Sequence, residues 1–302
     1  MQTGAIDLAS IPGPMDLQAT LESGQTFRWS RLDGRTYEDP APSGGDAWYR
    51  TVQDGQVIEV RQTDSALEWR STFDATETLS RRLRLDEDLG SILADVPDDE
   101  VVARAVERFA GMRLVREPFW ETLVSFILSA QMRVERIHQL VETLAATYGE
   151  PVEWRDETVY SFPTPPALAE QSERDLRDLG VGYRAPYLRE TAAMIAADAV
   201  SPASVASSPY ETARETLTSL VGVGPKVADC VLLFSLDFPE PVPLDTWIRS
   251  AIEEHFPEAA AGSYDDTSRA IRDRFGPHPG YTQTYVFHHL RTTDRAQVGR
   301  GN

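Results

Sequence analysis

The chain has 302 residues and a formal charge of −19, from 29 Lys and Arg against 48 Asp and Glu, with a pI near 4.6. That length accommodates two domains or one large one, and 41% hydrophobic with 25% charged residues is a globular composition that excludes wholesale disorder. The single Cys, Cys230, excludes an internal disulfide and a four-Cys zinc or iron–sulfur site.

No apolar run approaches the roughly 20 residues of a membrane span, and no basic-then-apolar leader opens the chain. A soluble, cytoplasmic protein with no membrane partner is therefore expected. The first hundred residues read as β-rich. Thr26–Ser30 has strand character, entered through Ser23-Gly24-Gln25. Two alternating runs, 48–53 and 57–60, flank Asp54-Gly55, a strong hairpin signal. Near Pro97-Asp98-Asp99-Glu100 the pattern turns helical. Helices are predicted over 99–110, 117–130, 133–148, 172–179, 185–198, 210–220, 226–236, 246–256, 264–275 and 280–290, and the last dozen residues as a frayed tail. The expected fold is an α+β domain with an antiparallel sheet over 1–97, followed by an all-α domain over 98–302.

A charge of −19 argues against phosphate binding through a basic surface. However, an Asp/Glu excess with lysine almost eliminated is the composition expected of a halophile, whose cytoplasm is at molar salt. There the Debye length falls to about 3 Å. Only one of the 29 basic residues is lysine, Lys226.

Lys226 falls in the richest segment of the chain, Leu220-Val221-Gly222-Val223-Gly224-Pro225-Lys226-Val227-Ala228-Asp229-Cys230. One helix runs into a tight turn with Gly222 and Gly224, and a second begins at Pro225. Such a hairpin aims backbone N–H groups outward and suits a phosphate, or a phosphate bridged by a cation, without a basic field. The plainer reading is an ordinary αα turn. Against it stand Lys226, at a helix N-terminus whose dipole favours the neutral, nucleophilic amine, and Asp245 in Pro241-Val242-Pro243-Leu244-Asp245-Thr246-Trp247. One helix and a Pro-rich return bring Asp245 back beside the hairpin, where it also suits a helix N-cap.

The run Leu220–Cys230 followed by Val242-Pro243-Leu244-Asp245 resembles the helix–hairpin–helix Gly/Pro-Asp (HhH-GPD) superfamily of DNA glycosylases, and within it the 8-oxoguanine DNA glycosylase/AP lyase family. The resemblance spans roughly 15–290. It implies a helix–hairpin–helix glycosylase domain with its catalytic hairpin over 210–247, and a base-excision-repair enzyme with glycosylase and β-lyase activity. Lys226 would attack the sugar C1′ and Asp245 would support the positive charge developing there. The implied partner is double-stranded DNA carrying oxidised guanine opposite cytosine.

The resemblance assigns further residues. Gly24, in Ser23-Gly24-Gln25-Thr26-Phe27-Arg28-Trp29, would accept the N7–H that distinguishes 8-oxoguanine from guanine. Cys230 and Phe287 would stack on the two faces of the extruded base, and Gln283 would read its Watson–Crick edge. Gln283 and Phe287 lie i and i+4 on one helical face, and amide plus ring suit a flipped purine. The segment 126–137 would fill the vacated space with Gln131 and Arg136, and Gly182-Tyr183-Arg184 would supply a wedge, Tyr183, and a cytosine reader, Arg184. Taken alone, Gln283 and Phe287 read equally as core packing, Arg136 as a solvated helix face and Tyr183 as a loop aromatic.

Two departures stand out. The family's usual Asn is Gln131 here, and Trp247 replaces a common phosphate-binding His. No metal is expected in the chemistry, because the five His are scattered and the adjacent His288 and His289 face different ways. A monovalent cation held by hairpin carbonyls would be structural. Nothing requires more than a monomer. The competing readings are an alkylpurine glycosylase of the same superfamily, which usually lacks the Lys, and a non-catalytic hairpin protein. The lone Cys disfavours an iron–sulfur glycosylase.

Overall fold

The computed structural model describes residues 1–38, 46–260 and 262–298, with side chains through residue 293. Five antiparallel strands, β1 (Gln2–Asp7), β2 (Ser30–Arg31), β3 (Tyr49–Gln53), β4 (Gln56–Gln62) and β5 (Ala66–Ser71), form a sheet ordered β1-β5-β4-β3-β2. The β3–β4 hairpin turns at Asp54-Gly55, both at positive φ (50° and 72°), and pairs Val52 with Val57. This backbone matches the strand twist, which is why the dipeptide was legible. Helices α1 (Leu17–Glu22), α2 (Thr76–Arg82) and α3 (Leu89–Ala94) complete the N-terminal region. Trp29, Tyr49, Ile58, Val60, Leu67 and Leu79 fill its core.

The expected strand over 26–30 shrinks to β2. Thr26–Trp29 is buried irregular chain rather than ladder, because its side chains dock onto the helical domain. Trp29 Nε1 donates to Glu117 at 2.9 Å. Arg28 donates to Glu121 at 3.2 Å and to Glu142 at 2.7 Å, and also to the carbonyls of Val52 and Tyr160.

The second region contains α4 (Glu100–Arg108), α5 (Phe119–Leu128), α6 (Val134–Tyr148), α7 (Pro165–Ala169), α8 (Glu173–Asp178), α9 (Ala185–Ala196), α10 (Pro202–Ala206), α11 (Tyr210–Thr218), α12 (Pro225–Ser235), α13 (Thr246–His255), α14 (Tyr264–Phe275) and α15 (Pro279–Val298). Two additions depart from the sequence expectation. A small hairpin, β6 (Pro151–Trp154) with β7 (Glu157–Tyr160), interrupts the helices. It braces the N-terminal sheet, with Trp154 Nε1 donating to Glu59 at 3.0 Å. Of the expected frayed tail, residues 291–298 are instead the end of α15, where Arg291 is still buried and bonds the Glu22 carbonyl at 2.7 Å, and residues 299–302 lie outside the described residues.

Helix α12 runs through the main core, with every residue from Val227 to Phe234 buried. Burying each Leu or Val side chain contributes about 1.5–3 kcal/mol, so the axis of α12 is tightly fixed. Its N-terminal end emerges at the junction with the N-terminal region, and Lys226 sits there.

Candidate active site

Gly24, Lys226, Cys230, Asp245, Gln283 and Phe287 all line one cavity between the two regions. The walls are supplied by the 23–27 loop, the end of α5, the start of α6, α12, the segment before α13, and α15.

The nucleophile candidate is held at a helix start. Gly222 turns the α11–α12 connection at φ +76°, tight against Tyr187, where a Cβ would lie only 2.5 Å from the tyrosine Cβ. The hydroxyl of Thr191 fastens the turn by donating to the Val221 carbonyl. Gly224 is the exposed N-cap of α12. Lys226, half-buried, donates from Nζ to Ser129 Oγ at 2.8 Å and lies 5.0 Å from the centre of the Phe126 ring. Phe126 stacks on Phe234 and meets Phe27 edge-on, so one wall of the cavity is aromatic. Cys230 lies one turn along α12 from Lys226. Burial pushes that Cys230 thiol up to about 12, against a smaller opposing effect of Lys226. Cys230 is therefore a neutral wall group.

Asp245 serves as the N-cap of α13, its Oδ1 accepting from Ile248 N–H at 2.8 Å. Capping and lining the cavity are compatible: the cap fixes a carboxylate that lines the same cavity as Lys226.

The base-contact candidates are equally anchored. Gly24 has φ +97°, and a Cβ there would lie 3.2 Å from Val134 and 3.6 Å from Phe287. A side chain would be strained and would intrude on the cavity wall. Gln25 pins this loop by donating to the Thr20 and Arg113 carbonyls and accepting from Val115 N–H. Arg291 holds the Glu22 carbonyl while its guanidinium lies 5.9 Å from the Phe287 ring centre, linking loop and α15. Gln283 is 5% exposed and accepts from the Thr284 hydroxyl at 3.2 Å.

The other candidates sit around the mouth. A wide groove next to the cavity is lined by Ser129–Glu135, Lys226, Asp245, Trp247, Arg249 and Phe287. Gln131 is exposed with φ +54°, and Trp247 is 41% exposed at the start of α13. Tyr183 projects with 54% exposure and meets Tyr187 edge-on. Arg136 is exposed and lies beside Gly180, so the two mouth segments adjoin. Arg184 differs from an open reader: only 6% exposed, it stacks on Tyr183 and donates to the Ala130 and Val181 carbonyls. In this structure it ties the two mouth segments together.

Sequence pattern does not single out Ser129, Phe126 or Asp229. Ser129 lies at a helix C-cap, and only the fold brings it to Lys226. Asp229 carries a weak signal, a carboxylate in an otherwise apolar helix. It is fully buried, accepting from Tyr210 at 2.8 Å and Tyr264 at 2.6 Å. Burial pushes its carboxyl up to about 6 despite those hydrogen bonds and the charge of Arg214.

Comparison with known proteins fits this geometry. Residues 124–277 match the HhH-GPD superfamily base excision DNA repair protein model, and residues 9–123 match the N-terminal domain of 8-oxoguanine DNA glycosylase. A probable N-glycosylase/DNA lyase of Methanothermobacter thermautotrophicus is 30% identical over 96% of this chain and 98% of its own. The N-glycosylase/DNA lyase of Saccharomyces cerevisiae is 33% identical over 77% of this chain and 66% of its own. The 8-oxoguanine glycosylase/lyase of Clostridium acetobutylicum, solved with double-stranded DNA containing cytosine opposite 8-oxoguanine, superposes with TM-score 0.82 at 27% identity, covering 93% of each chain. The chain therefore belongs to the 8-oxoguanine DNA glycosylase family of the HhH-GPD superfamily and is an enzyme of the N-glycosylase/DNA lyase class.

Proposed function

We propose that the enzyme excises 8-oxoguanine from duplex DNA opposite cytosine and then cleaves the strand at the resulting site. The observation that carries this reading is the convergence of Lys226, Asp245, Gly24, Cys230, Gln283 and Phe287 on one interdomain cavity beside an open groove. The lesion nucleotide is extruded into that cavity at a cost of a few kcal/mol, offset by the mouth residues Gln131, Arg136 and Tyr183, with Arg184 holding together the segments that carry them. The base is held between Cys230 and Phe287, with Gln283 on its edge and the Gly24 carbonyl at N7–H. Gly222, Gly224 and Trp247 border the DNA backbone.

The Lys226 amine forms a bond to C1′ as the bond from C1′ to the base breaks. The base departs with that electron pair and takes up a proton, while Asp245 stabilises the positive charge developing at the sugar. The C1′–O4′ bond then opens, with protonation of O4′, to give an iminium. Loss of a proton from C2′ expels the 3′ phosphate with the C3′–O electron pair, and water hydrolyses the imine to free Lys226. A structural monovalent cation at the hairpin carbonyls, a monomeric state and a cytoplasmic setting belong to the same proposal.

Excision assayed on duplexes with 8-oxoguanine opposite each of the four bases, and on an alkylated-purine duplex, tests it. The expected result is 8-oxoguanine release fastest opposite cytosine, reduced at least ~100-fold in Asp245→Asn with DNA binding retained. Preferential release of the alkylated purine would replace this reading with the alkylpurine one. Equal turnover against all four bases would remove the cytosine contacts from it.

A further inference from the structure

Asp229 and Tyr264 are polar groups packed behind the cavity, and the mechanism above does not use them. Asp229 lies on α12 one turn after Lys226, and both of its oxygens are engaged, Oδ1 by the Tyr210 hydroxyl and Oδ2 by the Tyr264 hydroxyl. The Tyr264 oxygen also accepts from the backbone N–H of Leu244 at 3.2 Å. Leu244 immediately precedes Asp245. A continuous chain of hydrogen bonds thus runs from the Lys226 helix, through Asp229 and Tyr264, to the backbone that carries Asp245.

The return segment has particular need of this fastening. Pro241 and Pro243 carry no N–H, so they offer no donor to anchor it. Asp245 N–H is turned back onto the Pro243 carbonyl at 3.2 Å. The Leu244 N–H is the donor that reaches across to another element, and the element it finds is α14 through Tyr264. The Asp245 cap to Ile248 orients the carboxylate relative to α13 but does not set the distance from α13 to α12. The Tyr264 bridge spans that gap. A buried hydrogen bond to an ionised carboxylate is a strong one, and it stiffens such a bridge.

Resting on the glycosylase/lyase reading above, we propose that Tyr264, held by Asp229, is a positioning residue that sets Asp245 against Lys226 for base excision. The predicted signature is a split between the two activities. Base excision develops positive charge at the sugar and needs Asp245 in register. Attack of Lys226 on a preformed abasic aldehyde develops no such charge. Tyr264→Phe removes the hydroxyl and keeps the ring, and misplacement on the ångström scale costs up to about 100-fold in rate.

The experiment measures 8-oxoguanine excision, DNA affinity, thermal unfolding and borohydride trapping on a preformed abasic duplex for wild type, Tyr264→Phe, Asp245→Asn and the double variant. The expected result for Tyr264→Phe is a kcat for excision lowered about 10- to 100-fold, with DNA affinity and abasic trapping within about twofold of wild type. In the Asp245→Asn background the same change costs less than about twofold, because its effect passes through Asp245. Excision at the wild-type rate, or excision and abasic trapping falling together, or full additivity with Asp245→Asn, each overturns the positioning role. Wild type that neither excises nor traps overturns the underlying reading instead, and the two failures are distinguishable.

Discussion

At the scale of single residues, backbone conformation separates two positions in the mouth and the cavity. Gly24 sits at φ +97° in a wall where a side chain would intrude, so residue type and geometry agree. Gln131 occupies the left-handed region at φ +54° without being glycine or asparagine. A left-handed L-residue costs about 1–2 kcal/mol, and asparagine lowers that cost because its short amide bonds locally. Gln131→Asn should therefore stabilise the protein by about 0.5–1 kcal/mol, read as a shift of the urea midpoint, and sharpen the preference for cytosine opposite the lesion. An unchanged midpoint would show that the turn, rather than the side chain, sets this conformation. Composition drew the eye to Lys226, the one lysine in a chain that uses arginine elsewhere, and the hairpin around it made it the nucleophile candidate. Ser129 was not, because its role exists only once α5 and α12 are packed together.

Helix α12 shows why elements were easier to read than their partners. Gly222, Gly224 and Pro225 mark its start in the sequence, and its apolar run announces burial. The hairpin β6–β7 went unread because its purpose is to brace a sheet some ninety residues earlier, through Trp154 and Glu59. The strand expected at 26–30 failed for a related reason: Arg28 and Trp29 are committed to carboxylates of the helical region rather than to a ladder. Asp229 on α12 adds a titration to the element. It is surrounded by Tyr210, Tyr264, Arg214 and Arg272, and burial raises it from 3.8 in the unfolded chain to about 6 in the fold. Folding therefore favours its protonated form. That contribution is fully present below about pH 4 and is lost as pH rises through 6. The stability of Asp229→Asn relative to wild type should accordingly increase by on the order of 2–3 kcal/mol between pH 4 and pH 6, measured by urea unfolding at each pH. A difference independent of pH would contradict the raised carboxyl.

For the whole molecule, the unusual balance of charge is reconciled with DNA by where the cations sit. Many of the arginines work inside the protein. Arg113, completely buried, donates to the carbonyls of Pro12, Pro14, Arg84 and Glu87, and Arg28 joins sheet to helices through Glu121 and Glu142. A planar guanidinium with five donors suits such sites, and an ammonium does not. The groove beside the cavity is lined by Arg133, Lys226, Arg249 and Arg291 alongside Glu135 and Asp245, so on the proposed reading a local set of cations meets DNA without a basic field over the whole molecule. The proposed chemistry imposes the opposite choice at one position: a guanidinium stays protonated and cannot act as an amine nucleophile. The most direct test of the account is borohydride trapping on an 8-oxoguanine:cytosine duplex at molar salt, comparing wild type with Lys226→Arg and Lys226→Gln. The account predicts a covalent protein–DNA adduct for wild type that is absent from both variants. An undiminished adduct in Lys226→Arg would contradict it.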